Sequence, residues 1–166
     1  MRSGFALNEF ATAAAMLDAA AEFARARIET AIARRGDAFL LLSGGATPRP
    51  LYERLAAAPL DWTRISAALV DERWVPADDP SSNEGMVRAA FGASLRLLGL
   101  KTDAAAPADA VDAVERRLAA APFPADVAIM GMGADGHTAS WFPNAEGLGA
   151  ALDDEAPARV AAIRAR

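Results

Sequence analysis

Apolar positions recur at helical spacing through residues 8–35. Phe10, Ala14, Leu17, Ala21, Ala24, Ile28 and Ile32 share one face, with charged residues between them. The pattern predicts one long opening helix, with Gly36 as its stop. The period then changes. AFLLLS (38–43), ISAALVD (65–71) and DVAIMG (126–131) are short near-continuous apolar runs and read as buried strands, and ARVAAIRA (158–165) reads as a fourth. Between them lie helical stretches. Residues 48–58 have Thr47 as N-cap and Pro48 in the first position, residues 82–91 have Ser82 or Asn83 as cap, and residues 108–121 form a longer helix. The segment 101–110 reads as a polar loop.

Strands alternate with helices, and three of the strands are near-continuous apolar runs, broken inside only by Ser66. That pattern predicts an α/β fold with a parallel, Rossmann-like sheet and helices on both faces. The whole of 1–166 reads as one domain, with no internal repeat. One consequence concerns function. SGGATP, DERWVPADDPSSN and GMGADGHTASWFP each follow a predicted strand directly. In an open parallel sheet the carboxyl ends of all strands lie at one edge, where ligands bind, so the three segments are expected to meet in one crevice. The alternative is three ordinary connecting loops.

Composition narrows the chemistry. The net charge is −5 and no basic run exists, which argues against nucleic acid or an anionic membrane as partner. A small anionic substrate stays open. The chain has no cysteine, which removes disulfides, thiol catalysis and thiolate metal sites, and its single histidine removes a multi-histidine zinc site. MRSGFALNEF lacks the apolar stretch of a signal peptide. The Ala-rich segment after it carries Asp18, Glu22, Arg25 and Arg27, so it is not expected to span a membrane. A cytoplasmic location is the expectation.

Each loop has its own chemistry. Gly44 and Gly45 let successive amides turn inward as an anion nest. Pro48 and Pro50 lack N–H groups, so the cradle rests on the amides of Gly44, Gly45, Ala46 and Thr47 with the hydroxyls of Ser43 and Thr47. A plain strand-to-helix turn is the alternative. In the second loop, Arg73 has the planar fork that binds phosphate, and Asp71 would place a carboxylate near a sugar; a surface ion cluster is the other reading. Trp74 reads as packing. In the third, Gly131, Gly133 and Gly136 spell G-x-G-x-x-G, the dinucleotide fingerprint. That reading needs a long helix after the third glycine, yet Pro143 leaves room for only about one turn. The other reading uses the glycines to bring backbone close to a substrate and sets Asp135 and His137 on a constrained loop. A histidine there can take a proton from water near neutral pH.

LLSGGATP, VDERWVP…SSNEGMVRAAF and DVAIMGMGADGHTASWFPN together resemble the signature segments of the 6-phosphogluconolactonase family, in order and across nearly the whole chain. The resemblance implies hydrolysis of 6-phospho-D-glucono-1,5-lactone to 6-phosphogluconate in the pentose phosphate pathway, without an essential cofactor or metal. It implies His137 as general base, supported by Asp135 or Asp71. It implies Arg73 as a substrate-binding cation, and substrate contacts from Ser43, Gly44, Gly45, Ala46, Thr47, Gly131, Gly133 and Ser140. Amides of the 131–137 loop are expected donors to the oxyanion. Glucosamine-6-phosphate deaminases are similar, but carry glutamate where this chain has Phe142 and prefer tyrosine where it has Arg73. The resemblance also implies a chain ending short of the family's last strands. A sugar-phosphate binding module without turnover is therefore the alternative function.

Overall fold

The computed structural model describes residues 6–165; Met1–Phe5, half of the stretch read against a signal peptide, lie outside them. The first helix, α1 (Ala13–Arg35), starts later than its apolar spacing predicts. Thr12 takes the N-cap instead, its Oγ1 accepting from the Ala15 N–H at 3.1 Å, and Phe10 is left outside and exposed. A helix leaves its first amides without intrahelical acceptors wherever it starts, and a start at Thr12 supplies a hydroxyl for one of them, which outranks the apolar period at the end of the helix. Gly36 closes α1 with φ +91°, where a side chain would be strained.

Strand β1 (Ala38–Leu42), helix α2 (Arg49–Ala56), strand β2 (Ile65–Leu69) and helix α3 (Asn83–Phe91) follow in the expected order. Strand β3 (Arg96–Leu98), helix α4 (Val111–Leu118), strand β4 (Val127–Ile129) and a short helix α5 (Leu148–Ala151) complete the set. The sheet is parallel throughout, with strand order β3-β2-β1-β4. Alternate residues of β1 and β2 divide the core. Ala38, Leu40, Leu42, Ile65, Ala67 and Leu69 pack beneath α1, α2 and α3. Phe39 and Ala68 point to the other face and meet Val114 and Leu118 of α4. Helices thus cover both faces, as expected.

Three expectations need correction. Thr47 does not cap α2: Pro48 is the cap residue, with no side-chain hydrogen bond. The helix expected over 108–121 is split, with a 3-10 turn at Pro107–Ala110 before α4, and it ends at Leu118. Residues 158–165 are not a sheet strand. The Arg159 and Val160 N–H groups donate to Glu115 of α4, and Arg164 makes one antiparallel bridge with Glu146. The carboxylate on α4 takes amides that a strand would have offered to β4. The fourth strand is β3, three residues at the opposite edge beginning with exposed Arg96.

The order of the strands decides where a ligand can sit. The chain moves outward from β1 to β2 to β3, then crosses back to place β4 on the other side of β1. The direction reverses at β1/β4, and a sheet opens a crevice at its carboxyl edge where that happens. Leu42 is in register with both Leu69 and Ile129. The Ser43 N–H donates to the Ile129 carbonyl at 3.1 Å and the Val70 N–H to the Leu42 carbonyl at 3.0 Å. The glycine, Asp71 and histidine loops therefore leave the sheet at one level.

Candidate active site

The loop after β1 begins with a buried residue. Ser43 is only 5% exposed, and its Oγ is buried without a hydrogen-bond partner among the described residues. Its carbonyl accepts from the Tyr52 hydroxyl at 2.8 Å. Burial pushes the Tyr52 phenol up to about 12 against the smaller opposing pull of that hydrogen bond, so it stays a donor across the working range. Tyr52 thus fixes the backbone at the base of the turn. Gly45 sits at φ +101°. Among the described residues, no protein acceptor takes the N–H of Gly44, Gly45, Ala46 or Thr47. The first turn of α2 adds little: the Leu51 and Tyr52 amides already donate to the Pro48 carbonyl. The anion-nest donors expected from the sequence are unclaimed by protein.

The loop after β2 is built around Glu72. Its carboxylate accepts from the N–H groups of Asn83 at 2.8 Å and Glu84 at 2.7 Å, and from the Ser82 hydroxyl at 3.2 Å. Ser82 in turn caps α3, accepting from the Gly85 N–H at 3.0 Å. The positive end of α3 is therefore already matched to a carboxylate of the protein itself. Nothing in the spacing of DER marks Glu72 for this role; it depends on where α3 lands in space. Arg73 is exposed, and its Nη1 donates to the Ser81 carbonyl at 3.1 Å, within its own loop. Trp74 packs against the α4 side of the core, with Nε1 donating to the Ala104 carbonyl, as a packing residue should.

The loop after β4 carries the histidine, and no helix follows Gly136 before α5, so the dinucleotide reading has no helix to rest on. The Gly133 N–H donates to the His137 carbonyl at 2.8 Å, and the Gly136 N–H to the Gly133 carbonyl at 3.0 Å. Thr138 Oγ1 ties back to the Gly131 carbonyl at 2.8 Å. The loop is closed on itself. Inside it, His137 Nδ1 lies 2.5 Å from Asp135 Oδ1. The ring nitrogen facing a carboxylate is the protonated one, which leaves Nε2 as the basic nitrogen. This contact, with the His137 backbone N–H adding to it, holds the Asp135 carboxyl below its ordinary value. The imidazole side chain keeps 27% of its surface exposed. One face packs against Phe142, with ring centroids 4.4 Å apart. Gly133 is needed for a steric reason: a Cβ there would fall 2.3 Å from His137 Cε1.

Of the two carboxylates expected as partners of His137, the geometry selects Asp135. Asp71 is committed elsewhere. Its Oδ2 accepts from Ser140 Oγ at 2.6 Å, and its Oδ1 from Asn83 Nδ2 at 3.0 Å. The amides of 131–137 are partly committed as well. Those of Gly133 and Gly136 are spent on the loop's own turns, and that of His137 faces Asp135 at 3.3 Å. The Asp135 amide faces its own carboxylate, and Gly131, Met132 and Ala134 remain as donors among the described residues.

The described residues form an α/β protein whose open parallel sheet carries, at its switch point, an amide turn unclaimed by protein and a histidine oriented by a carboxylate. Comparison with known proteins makes the class specific. The family model described as glucosamine-6-phosphate isomerases/6-phosphogluconolactonase matches residues 11–166, and the chain belongs to that family. It is 40% identical over 161 residues to a 6-phosphogluconolactonase of Pseudomonas aeruginosa, covering 95% of this chain and 68% of that one. It is 43% identical over 131 residues to one from Mesorhizobium japonicum, covering 76% of this chain and 55% of the relative. A crystal structure of a 6-phosphogluconolactonase from Shewanella baltica superposes with a TM-score of 0.85 at 36% identity, covering 89% of this chain and 65% of that one. The chain thus spans between 55% and 68% of the length of these relatives.

Proposed function

We propose that the protein hydrolyses 6-phospho-D-glucono-1,5-lactone to 6-phospho-D-gluconate, in the cytoplasm and as a step of the pentose phosphate pathway. The observation that carries this reading is the 2.5 Å contact between Asp135 Oδ1 and His137 Nδ1, which presents Nε2 as a base on a solvent-reached ring. The family and its 6-phosphogluconolactonase relatives supply the substrate class.

The free amides of Gly44, Gly45, Ala46 and Thr47, with Ser43 Oγ, grip the anionic end of the substrate. Arg73 adds a cation after releasing the Ser81 carbonyl. Fixing the phosphate fixes the lactone, so the reaction proceeds within a bound complex. His137 Nε2 removes a proton from water as the water oxygen bonds to C1. The carbonyl electrons move to oxygen, and the N–H groups of Gly131, Met132 and Ala134 are the donors left to meet that charge. The tetrahedral intermediate collapses, the bond from C1 to the ring oxygen breaks, and the imidazolium returns its proton to that oxygen. Asp135 holds the ring and balances its transient positive charge. Phe142 occupies the position where the deaminases carry glutamate and covers the imidazole with a ring that transfers no proton.

The test is direct. Freshly prepared lactone is supplied, and acid release is followed against spontaneous hydrolysis. Release well above background supports the reading. Thermal stabilisation by 6-phosphogluconate without acid release would replace it with a binding module. Neither effect would remove both.

A further inference from the structure

We infer that Asn83 is a positioning residue that locks the glycine loop and the histidine loop into one register, acting through Asp71. This rests on the proposed lactone hydrolysis, and it concerns a side chain given no role in the chemistry above.

Asn83 is 2% exposed. Its Nδ2 donates to two acceptors of the same residue, the Asp71 carbonyl at 2.9 Å and Asp71 Oδ1 at 3.0 Å. Only an NH2 group can face two acceptors, so the orientation of this amide is dictated by its partners. Its own N–H is taken by Glu72, which anchors it to the start of α3. Oδ1 is thereby turned toward the glycine loop. A Cβ on Gly44 would lie 1.7 Å from Asn83 Oδ1, and the carboxamide carbon and nitrogen are also too close for one. Gly44 has no positive φ among the backbone outliers, so the need for glycine here is a need for room. The first loop is seated against Asn83 with no space between them.

The other end of the chain of contacts reaches the third loop. Asp71 Oδ2 accepts from Ser140 Oγ at 2.6 Å, three positions beyond His137. One buried carboxamide therefore touches the turn proposed to hold the phosphate. The carboxylate it holds fixes the loop that carries the base. Among the described residues Asn83 makes no hydrogen bond to the imidazole or to the amides of 44–47, so its influence is on their relative placement. Substrate gripped by one loop and attacked from another is sensitive to that placement, because a shift of about 1 Å between reacting groups costs on the order of 100-fold.

Asn83→Asp keeps the shape and removes the donor, setting one carboxylate against another. The measurements are kcat and KM on the lactone, and hydrogen–deuterium exchange of peptides covering 43–47, 131–140 and 65–69. The expected result is a kcat lower by about 10- to 100-fold with KM changed less than about threefold. Exchange should quicken at the Ser43 amide, the one hydrogen-bonded amide described in 43–47, and in 131–140, while 65–69 stays protected. In addition, Asn83→Ala and Ser140→Ala combined should lower kcat little more than the worse single variant, since both act through Asp71. Should Asn83→Asp fail to fold, Asn83→Ala removes the same carboxamide without adding a charge and is read the same way. A kcat within about twofold of the parent protein, or faster exchange confined to 82–91, overturns the inference. If the parent protein shows no hydrolysis, the proposed function fails, and the exchange pattern alone decides the interlock.

Discussion

Ser140 Oγ donates to Asp71 Oδ2 at 2.6 Å, joining the histidine loop to the end of β2 across 69 positions of sequence. The bond is partly buried and charge-assisted, which places it among the stronger kind. Ser140→Ala leaves a carboxylate oxygen without that donor and should cost about 1–2 kcal/mol in urea denaturation. Ser140→Thr, which keeps the hydroxyl, should recover most of it. Equal stability of all three proteins would mean the bond contributes nothing.

Ser43 gives the opposite sign. Its buried hydroxyl has no partner among the described residues, so Ser43→Ala removes a desolvated polar group rather than a bond. The variant should melt at the same temperature as the parent or higher. It should also bind 6-phosphogluconate more weakly, by about tenfold, if the hydroxyl donates to the substrate. Calorimetric titration beside a thermal melt reads both quantities. A destabilised variant with unchanged affinity would contradict the assignment.

Asp126 couples stability to acid pH. Arg35 grips it through Nη1 at 3.0 Å and Nη2 at 2.7 Å, and the Phe39 N–H donates to it at 2.9 Å. Burial is the largest single influence on this carboxyl and pushes it up, but the Arg35 and Phe39 hydrogen bonds together outweigh it and hold it below 3.8. A carboxyl lowered in the folded state stabilises fully above its unfolded value, and that stability is lost as pH falls through the folded one. Asp126→Asn should therefore be less stable than the parent at pH 7 by about 1 kcal/mol, an amount reduced by the exposure of Arg35. The gap should close below pH 3.8. Denaturation at a series of pH values gives the curve, and a gap that widens in acid would refute the sign.

Gly133→Ala tests the seat of the imidazole. The added methyl would fall 2.3 Å from His137 Cε1 and 2.4 Å from Nδ1, so the ring must leave Asp135. Turnover should fall at least about 100-fold, while stability changes by less than about 1 kcal/mol because the loop is largely exposed. A variant with normal turnover would show that the ring need not sit where it does.

The parts of this molecule that follow from local pattern were legible in its sequence. β1 is apolar on both faces, and β2 is so but for Ser66, because helices cover both, and such runs announce themselves. The meeting of three loops followed from their place after strands in a parallel sheet. What local pattern could not convey depends on neighbours in space. β3 is too short, and opens with too polar a residue, to stand out. Residues 158–165 have the content of a strand, but Glu115 claims the amides of Arg159 and Val160, and that of Arg164 goes to Glu146. The choice of Asp135 over Asp71 turned on Ser140 and Asn83 having already taken Asp71. Glu72 as the partner of α3 was invisible for the same reason.

The central claim is that an imidazole oriented by Asp135 draws a proton from water beside a bound sugar phosphate. Its most direct test is the initial rate of acid release from fresh 6-phosphogluconolactone by the parent protein and by His137→Ala, with circular dichroism confirming that both are folded. The account predicts hydrolysis well above the spontaneous rate for the parent, and a loss of at least about 100-fold in the variant. A folded His137→Ala protein that hydrolyses the lactone at the parent rate would contradict it.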